Sequence, residues 1–105
     1  MTIQDSSYFE MKEDNINKAS KALKAMGHPL RLKILCVIGE KELPVMDIVK
    51  QVGTTQSNIS QHIDILREKG IITSRRDGSK ILCKVPDHNI LMLMNAMQQT
   101  FCPVK

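Results

Sequence analysis

The chain has no tryptophan, one tyrosine and two phenylalanines among 105 residues. So few aromatics argue against base stacking on single-stranded nucleic acid, which needs aromatic platforms. Cysteine is scarce too. Cys36, Cys83 and Cys102 are an odd number, with no Cys-x-x-Cys or other close pair, which argues against the disulfide framework of a small secreted domain. No apolar run approaches the ~20 residues that span a bilayer. The opening stretch MTIQDSSYFEMKED lacks the basic segment and apolar block of a secretory signal, so a cytoplasmic protein with no membrane partner is expected. There is no glycine-rich phosphate loop, no nucleophile with a base at motif spacing and no cofactor box. Neither an enzyme nor a bound cofactor is expected.

What is present is the composition of one globular domain. Hydrophobic residues make up 42% and charged residues 25%, close to soluble averages. Fifteen Lys and Arg against eleven Asp and Glu leave a net charge of +4, which suits a polyanionic partner. A chain this short buries only about two-thirds of its unfolded surface, and a dimer would bury more.

Residues 1–12 read as an N-terminal arm, 13–102 as the folded domain and 103–105 as a tail. Ile16, Ala19, Leu23 and Met26 recur at helical steps and form one stripe. Gly27 is expected to stop that helix in a left-handed conformation. Pro29 suits the first turn of the next helix. That helix, to about Ile38, is apolar on most of its circumference and belongs in the centre of the fold. Gly39 to Pro44 reads as a break. A short helix follows, Val45 to about Val52, then a Gly53-Thr54-Thr55 turn in which Thr55 can cap a helix from Gln56 to Lys69. Gly70 ends it. Strands are expected over Ile71–Arg75 and Lys80–Val85, joined by an Asp-Gly hairpin whose two central residues need positive φ. Asp87 can cap a last helix running to about Phe101. The order α-α-α-α-β-β-α is mainly helical with a small β-hairpin. Short helix, turn and longer helix make a helix-turn-helix, and the hairpin after it is a wing.

On a 3.6-residue helix, Ile59, Ile63 and Leu66 fall in one arc. Opposite lie Ser57, Ser60, Gln61 and Asp64, with Asn58 on the flank and Gln56 at the start. Amides bond adenine bidentately, and hydroxyls reach base edges or phosphates; an ordinary solvated face is the alternative. His62 sits nearer the core edge. Packing or a helix-to-helix hydrogen bond is its first reading and a phosphate contact its second. The wing carries Arg75, Arg76, Lys80 and Lys84 against Asp77, and its Gly78 turn is small enough to approach a phosphate backbone or a minor groove. Such a charged edge also prevents sheet-to-sheet aggregation. The last helix carries Ile90, Leu91, Met92, Leu93, Met94, Ala96, Met97 and Phe101, more apolar surface than one side of a small domain uses. The terminal helices are expected to pair across a two-fold axis. That would set two recognition helices about 34–36 Å apart on a near-palindromic duplex.

The segments Leu23-Lys-Ala-Met-Gly-His28-Pro-Leu-Arg31-Leu-Lys-Ile-Leu35 and Thr55-Gln-Ser-Asn-Ile-Ser-Gln-His62-Ile-Asp-Ile-Leu66-Arg, with the Arg75-Arg76-Asp77-Gly78 wing, resemble the ArsR/SmtB repressors. The resemblance covers roughly residues 15–102. It implies a homodimeric winged helix-turn-helix repressor that leaves its operator when an inducer binds. One metal site of that family is a Cys-x-Cys pair on the third helix, where this chain reads Val45-Met-Asp-Ile-Val-Lys-Gln. Another uses Asp and His on the last helix; Asp87 and His88 stand at its start, but Asn95, Gln98 and Gln99 fill its later turns. Neither site can be assembled, since a closed zinc site needs about four ligands.

Cys36, on the second helix, and Cys102, just past the last, resemble instead the dithiol of the persulfide-responsive branch. That resemblance implies that persulfide or another oxidant bridges the pair by a polysulfide or disulfide, and that oxidation releases the DNA. Whether the link forms within or between subunits stays open. Cys83, mid-strand, is expected to be structural or incidental. Arg31, Lys33 and Lys105 are candidates to hold positive charge near a reactive thiol. The alternatives are packing roles for the cysteines, a metal- or metalloid-responsive repressor using cysteine ligands, and a constitutive architectural or protein-interaction module without an inducer.

Overall fold

Among the described residues, three of the five helices start where a side chain accepts an orphaned backbone N–H. The computed structural model describes residues 10–102. Its elements are α1 (Glu13–Met26), α2 (Pro29–Ile38), β1 (Glu42–Pro44), α3 (Val45–Val52), α4 (Gln56–Glu68), β2 (Thr73–Asp77), β3 (Lys80–Lys84) and α5 (His88–Phe101). Most of the expected arm and all of the expected tail lie outside the described residues.

The expected caps of α4 and α5 form. Thr55 accepts from the Asn58 N–H at 3.1 Å, and Asp87 from the Asn89 N–H at 2.8 Å. His28 is a cap the sequence did not announce: its Nδ1 accepts from the Leu30 N–H at 3.1 Å, just before Pro29. Gly27 ends α1 for a different reason from the one expected. Its φ is −80°, so no left-handed conformation is involved. A Cβ there would lie 3.0 Å from the Leu23 carbonyl oxygen, and that close approach is what favours glycine.

The break between α2 and α3 contains a strand. Glu42–Pro44 pairs antiparallel with β3, giving a three-stranded sheet in the order β1-β3-β2, with Leu43 opposite Cys83 and Ser74 opposite Cys83 on the other side. The element order is therefore α-α-β-α-α-β-β-α. A three-residue strand ending in proline has no readable periodicity, and proline is tolerated there because the strand is an edge. The hairpin also turns one step later than expected. Asp77 pairs with Lys80, so Gly78 and Ser79 are the central residues. Gly78 has φ of 64° and no non-glycine residue among those described has positive φ. One positive φ at the first central position fits a type II′ turn, which requires glycine there.

The core gathers Ile34, Leu35 and Ile38 of α2, Ile48 of α3, Ile59, Ile63 and Leu66 of α4, and Ile71, Ile72, Cys83 and Val85 around the sheet. This core fixes α4 against α2 and α3. The terminal helices differ. Of α1, only Ala25 and Met26 are buried; Ile16 is 44% exposed and Leu23 53%. α5 has no buried residue, with Met92 56% and Phe101 78% exposed. The stripe read from α1 exists, but half of it faces away from the chain's own core.

Candidate nucleic-acid interface

The recognition face is built by burying its opposite. Ile59, Ile63 and Leu66 lock α4 into the core, leaving Gln56, Ser57 and Gln61 exposed and Asn58 and Ser60 half-buried. Asn58 is partly engaged, its Nδ2 donating to Thr54 Oγ1 at 3.3 Å. Asp64 is paired with Arg67, and Arg67 donates to Ser74 Oγ at 3.0 Å. His62 is half-buried and turned toward α2, where its Nδ1 lies 3.2 Å from Arg31 Nη1. That geometry agrees with its helix-to-helix reading.

The wing residues separate into two groups. Arg75 is held across β3 by Glu42 of β1, Nε to Oε2 at 2.9 Å and Nη2 to Oε1 at 2.8 Å. This hydrogen-bonded pair lowers the Glu42 pKa and raises that of Arg75. Arg76, Gly78 and Lys80 are exposed at the tip, without an ion-pair partner among the described residues. Lys50 is a basic residue beside this face that the sequence reading did not single out. It lines, with Gln56, Ser79 and Lys80, a concavity of about 460 Å³ between α3, the start of α4 and the wing tip. Its one legible signal was a lysine in the last turn of α3. Glu42 gave no signal at all, since 33 positions separate it from Arg75.

The three cysteines occupy contrasting places. Cys83 is buried and the other two are exposed. Burial pushes the Cys83 thiol up, partly offset by Ser74, whose Oγ lies 3.7 Å away, and by the Arg67 charge. Cys36 opens onto a concavity of about 520 Å³ lined also by Leu32, Val37, Lys33 and Lys41. Lys33, one of the three candidate cations, lines the same concavity as Cys36. Arg31 is instead committed to the Ala25 carbonyl and His62, and Lys105 lies outside the described residues. Cys102 caps the C-terminus of α5, its N–H donating to the Gln98 carbonyl at 2.7 Å. Among the described residues no group of three or more His, Cys, Asp or Glu side chains is placed to hold a metal ion. No helix among them is long and apolar enough to cross a membrane.

A short helix, a turn, a longer helix with an amide and hydroxyl face, and a basic hairpin beside it define a winged helix-turn-helix DNA-binding protein. Residues 28–74 match the bacterial regulatory proteins of the arsR family. The biofilm growth-associated repressor of Xylella fastidiosa is 33% identical over 93 residues, covering 89% of this chain and 82% of that protein. The crystal structure of the transcriptional repressor BigR from Xylella fastidiosa superposes with a TM-score of 0.80 at 32% identity, covering 97% of this chain and 98% of that one. Reduced HlyU from Vibrio cholerae superposes with a TM-score of 0.80 at 29% identity, over 86% of this chain and 95% of that one. The chain belongs to the arsR family, whose members are DNA-binding transcriptional regulators and not enzymes.

Proposed function

We propose that this arsR-family protein is a homodimeric cytoplasmic repressor that reads a near-palindromic operator and releases it when Cys36 and Cys102 are oxidised by persulfide or a related oxidant. One observation carries the thiol assignment: the two cysteines on α2 and at the end of α5 are exposed, while the third is buried in the central strand of the sheet. A thiol must be reached by its oxidant, and a buried one is inert. Support comes also from the similar HlyU of Vibrio cholerae, whose structure is that of a reduced form.

The dimer is supported by the exposed apolar residues of α1 and α5. In the proposed assembly these helices pair, and Gln56, Ser57, Asn58, Ser60 and Gln61 of each α4 enter successive major grooves. Arg76, Gly78 and Lys80 approach the flanking backbone, joined by Arg75 where a phosphate displaces Glu42. An organic persulfide, RSSH, transfers its outer sulfur to one cysteine and leaves as the thiol RSH. The second thiol then attacks the inner sulfur of that cysteine persulfide, giving a disulfide and hydrogen sulfide. The sulfane sulfur is the two-electron oxidant, and a second equivalent of RSSH gives the trisulfide by the same exchange. The link joins the helix under the recognition unit to the helix of the dimer face, and so changes the angle between the two α4 helices.

The test uses a duplex selected from a random library by the reduced protein. Persulfide treatment is expected to weaken its binding and to place the bridge on Cys36 and Cys102 by peptide mass. Cys36→Ser and Cys102→Ser are expected to hold the duplex after treatment. Unchanged affinity with the bridge in place breaks the assignment, and release triggered by a stoichiometric thiophilic metal in its stead favours the metal-responsive reading.

A further inference from the structure

Arg31 uses both sides of its guanidinium. Its Nε donates to the Ala25 carbonyl in the last turn of α1, and its Nη1 meets His62 Nδ1 on α4 at 3.2 Å. One side chain on α2 therefore ties the helix that carries exposed apolar residues to the helix that carries the reading residues.

The protonation state of this contact follows from its partners. A guanidinium only donates and keeps its charge in proteins. His62 Nδ1 is therefore the acceptor, and the ring is neutral with its hydrogen on Nε2. His28 packs its ring against His62, centroids 4.6 Å apart and tilted by 37°. Burial, then the charges of His28 and Arg31, lower the His62 pKa from 6.5. His28 at the N-cap of α2 and Arg31 within it are the charged neighbours that act on it among the described residues. α1 contributes the Ala25 carbonyl to the shared guanidinium.

Ile59, Ile63 and Leu66 hold α4 in place by apolar packing, which is non-directional. A hydrogen bond is directional. Arg67 ties the C-terminal end of α4 to Ser74 of the sheet, and the Arg31–His62 contact is the one that orients the middle of α4 toward α2. We propose that Arg31 and His62 are positioning residues for DNA binding: neutral His62 accepts from Arg31, and this bond sets the angle of the recognition helix against α1. The inference rests on the DNA-reading function proposed above. A proton on His62 Nδ1 removes the acceptor and adds a positive charge beside Arg31 and His28. Acidification then loosens α4 without touching any base or phosphate contact.

The experiment measures binding of the wild-type-selected duplex from about pH 7.5 to about pH 5.5, the range in which histidine titrates. Wild-type, H62Q and R31A dimers are compared at several salt concentrations. Wild type is expected to lose about tenfold in affinity across that range, the scale of one hydrogen bond to a charged group. H62Q, whose amide oxygen accepts from Arg31 without titrating, is expected to bind like wild type near neutrality and to lose much less on acidification. R31A is expected to bind about tenfold more weakly near neutrality with the salt dependence unchanged, whereas a lost phosphate contact lowers the salt slope by about one. Nitrogen NMR of the free protein is expected to find the Nε2–H tautomer at His62 in wild type and a mixture in R31A. An H62Q profile that follows wild type, an R31A that binds as tightly, or a salt slope reduced by one overturns the positioning role. A wild type that selects no duplex overturns the DNA-reading function and this inference with it, a result distinct from a variant that merely tracks wild type.

Discussion

The helix-turn-helix unit and the terminal helices draw on the same apolar residue types and treat them differently. In α2, α3 and α4 the isoleucines and leucines of the inward faces are buried by one another and by the sheet. In α1 and α5 comparable side chains, Ile16, Leu23, Met92 and Leu93, stand exposed. The inward faces of the first region are completed by its own chain, with Met46 and Ile65 left exposed singly; the second packs Ile90, Leu91, Met94 and Met97 on that core and still presents apolar faces of the kind that a partner finishes. The contrast extends to sulfur. Cys83 is packed within the first region, while Cys36 and Cys102 are exposed on its outer side and at the end of α5.

The sharpest test of that comparison sets one substitution in each region. Leu66→Ala empties a fully buried site and is expected to cost about 2–5 kcal/mol of folding stability by chemical denaturation. Met92→Asp is expected to leave the fold intact by circular dichroism but to weaken the dimer by at least about 2 kcal/mol, the scale of an interface anchor, as seen by sedimentation. A Met92→Asp protein that dimerises normally would assign α5 some other role.

The cysteines give a smaller difference. Cys83→Ser places a hydroxyl in the core, and Ser74 offers it a partner, so a loss of about 1 kcal/mol is expected. Cys36→Ser, at an exposed position, is expected to stay within about 0.5 kcal/mol. Equal losses at both would erase the distinction between a packed thiol and an accessible one.

The smallest effect is on the pH dependence of stability. His62 has a lowered pKa in the folded chain, so the unfolded state takes up its proton at higher pH. Stability from this group is present above about pH 6.5 and is lost as pH falls through the folded value. In thermal melts across that window H62Q is expected to show a shallower decline than wild type. An identical decline would place the pH response elsewhere.

Local signals carried much of this architecture. The buried arc of α4 and its polar opposite follow from residue spacing alone, and Thr55 and Asp87 cap the helices they were expected to cap. Where the expectation depended on a partner far along the chain, it failed or said nothing. β1 becomes a strand only because β3 lies beside it. Arg75 reads as a phosphate ligand until Glu42 is brought across the sheet. His62 read from its position as a core-edge residue, but its partner Arg31 lies 31 positions away. Gly27 was correctly placed as a stop, for a reason the backbone does not support.

The order of the helices and of the hairpin, the helix faces, the caps of α4 and α5 and the basic tip of the wing were written in neighbouring residues, because hydrophobic period and backbone satisfaction act over a few positions. Which thiols meet solvent, which arginine is already paired and how α2 grips both α1 and α4 emerged on folding. Those properties depend on what side chains meet across the packed interior, and sequence spacing carries no such distance.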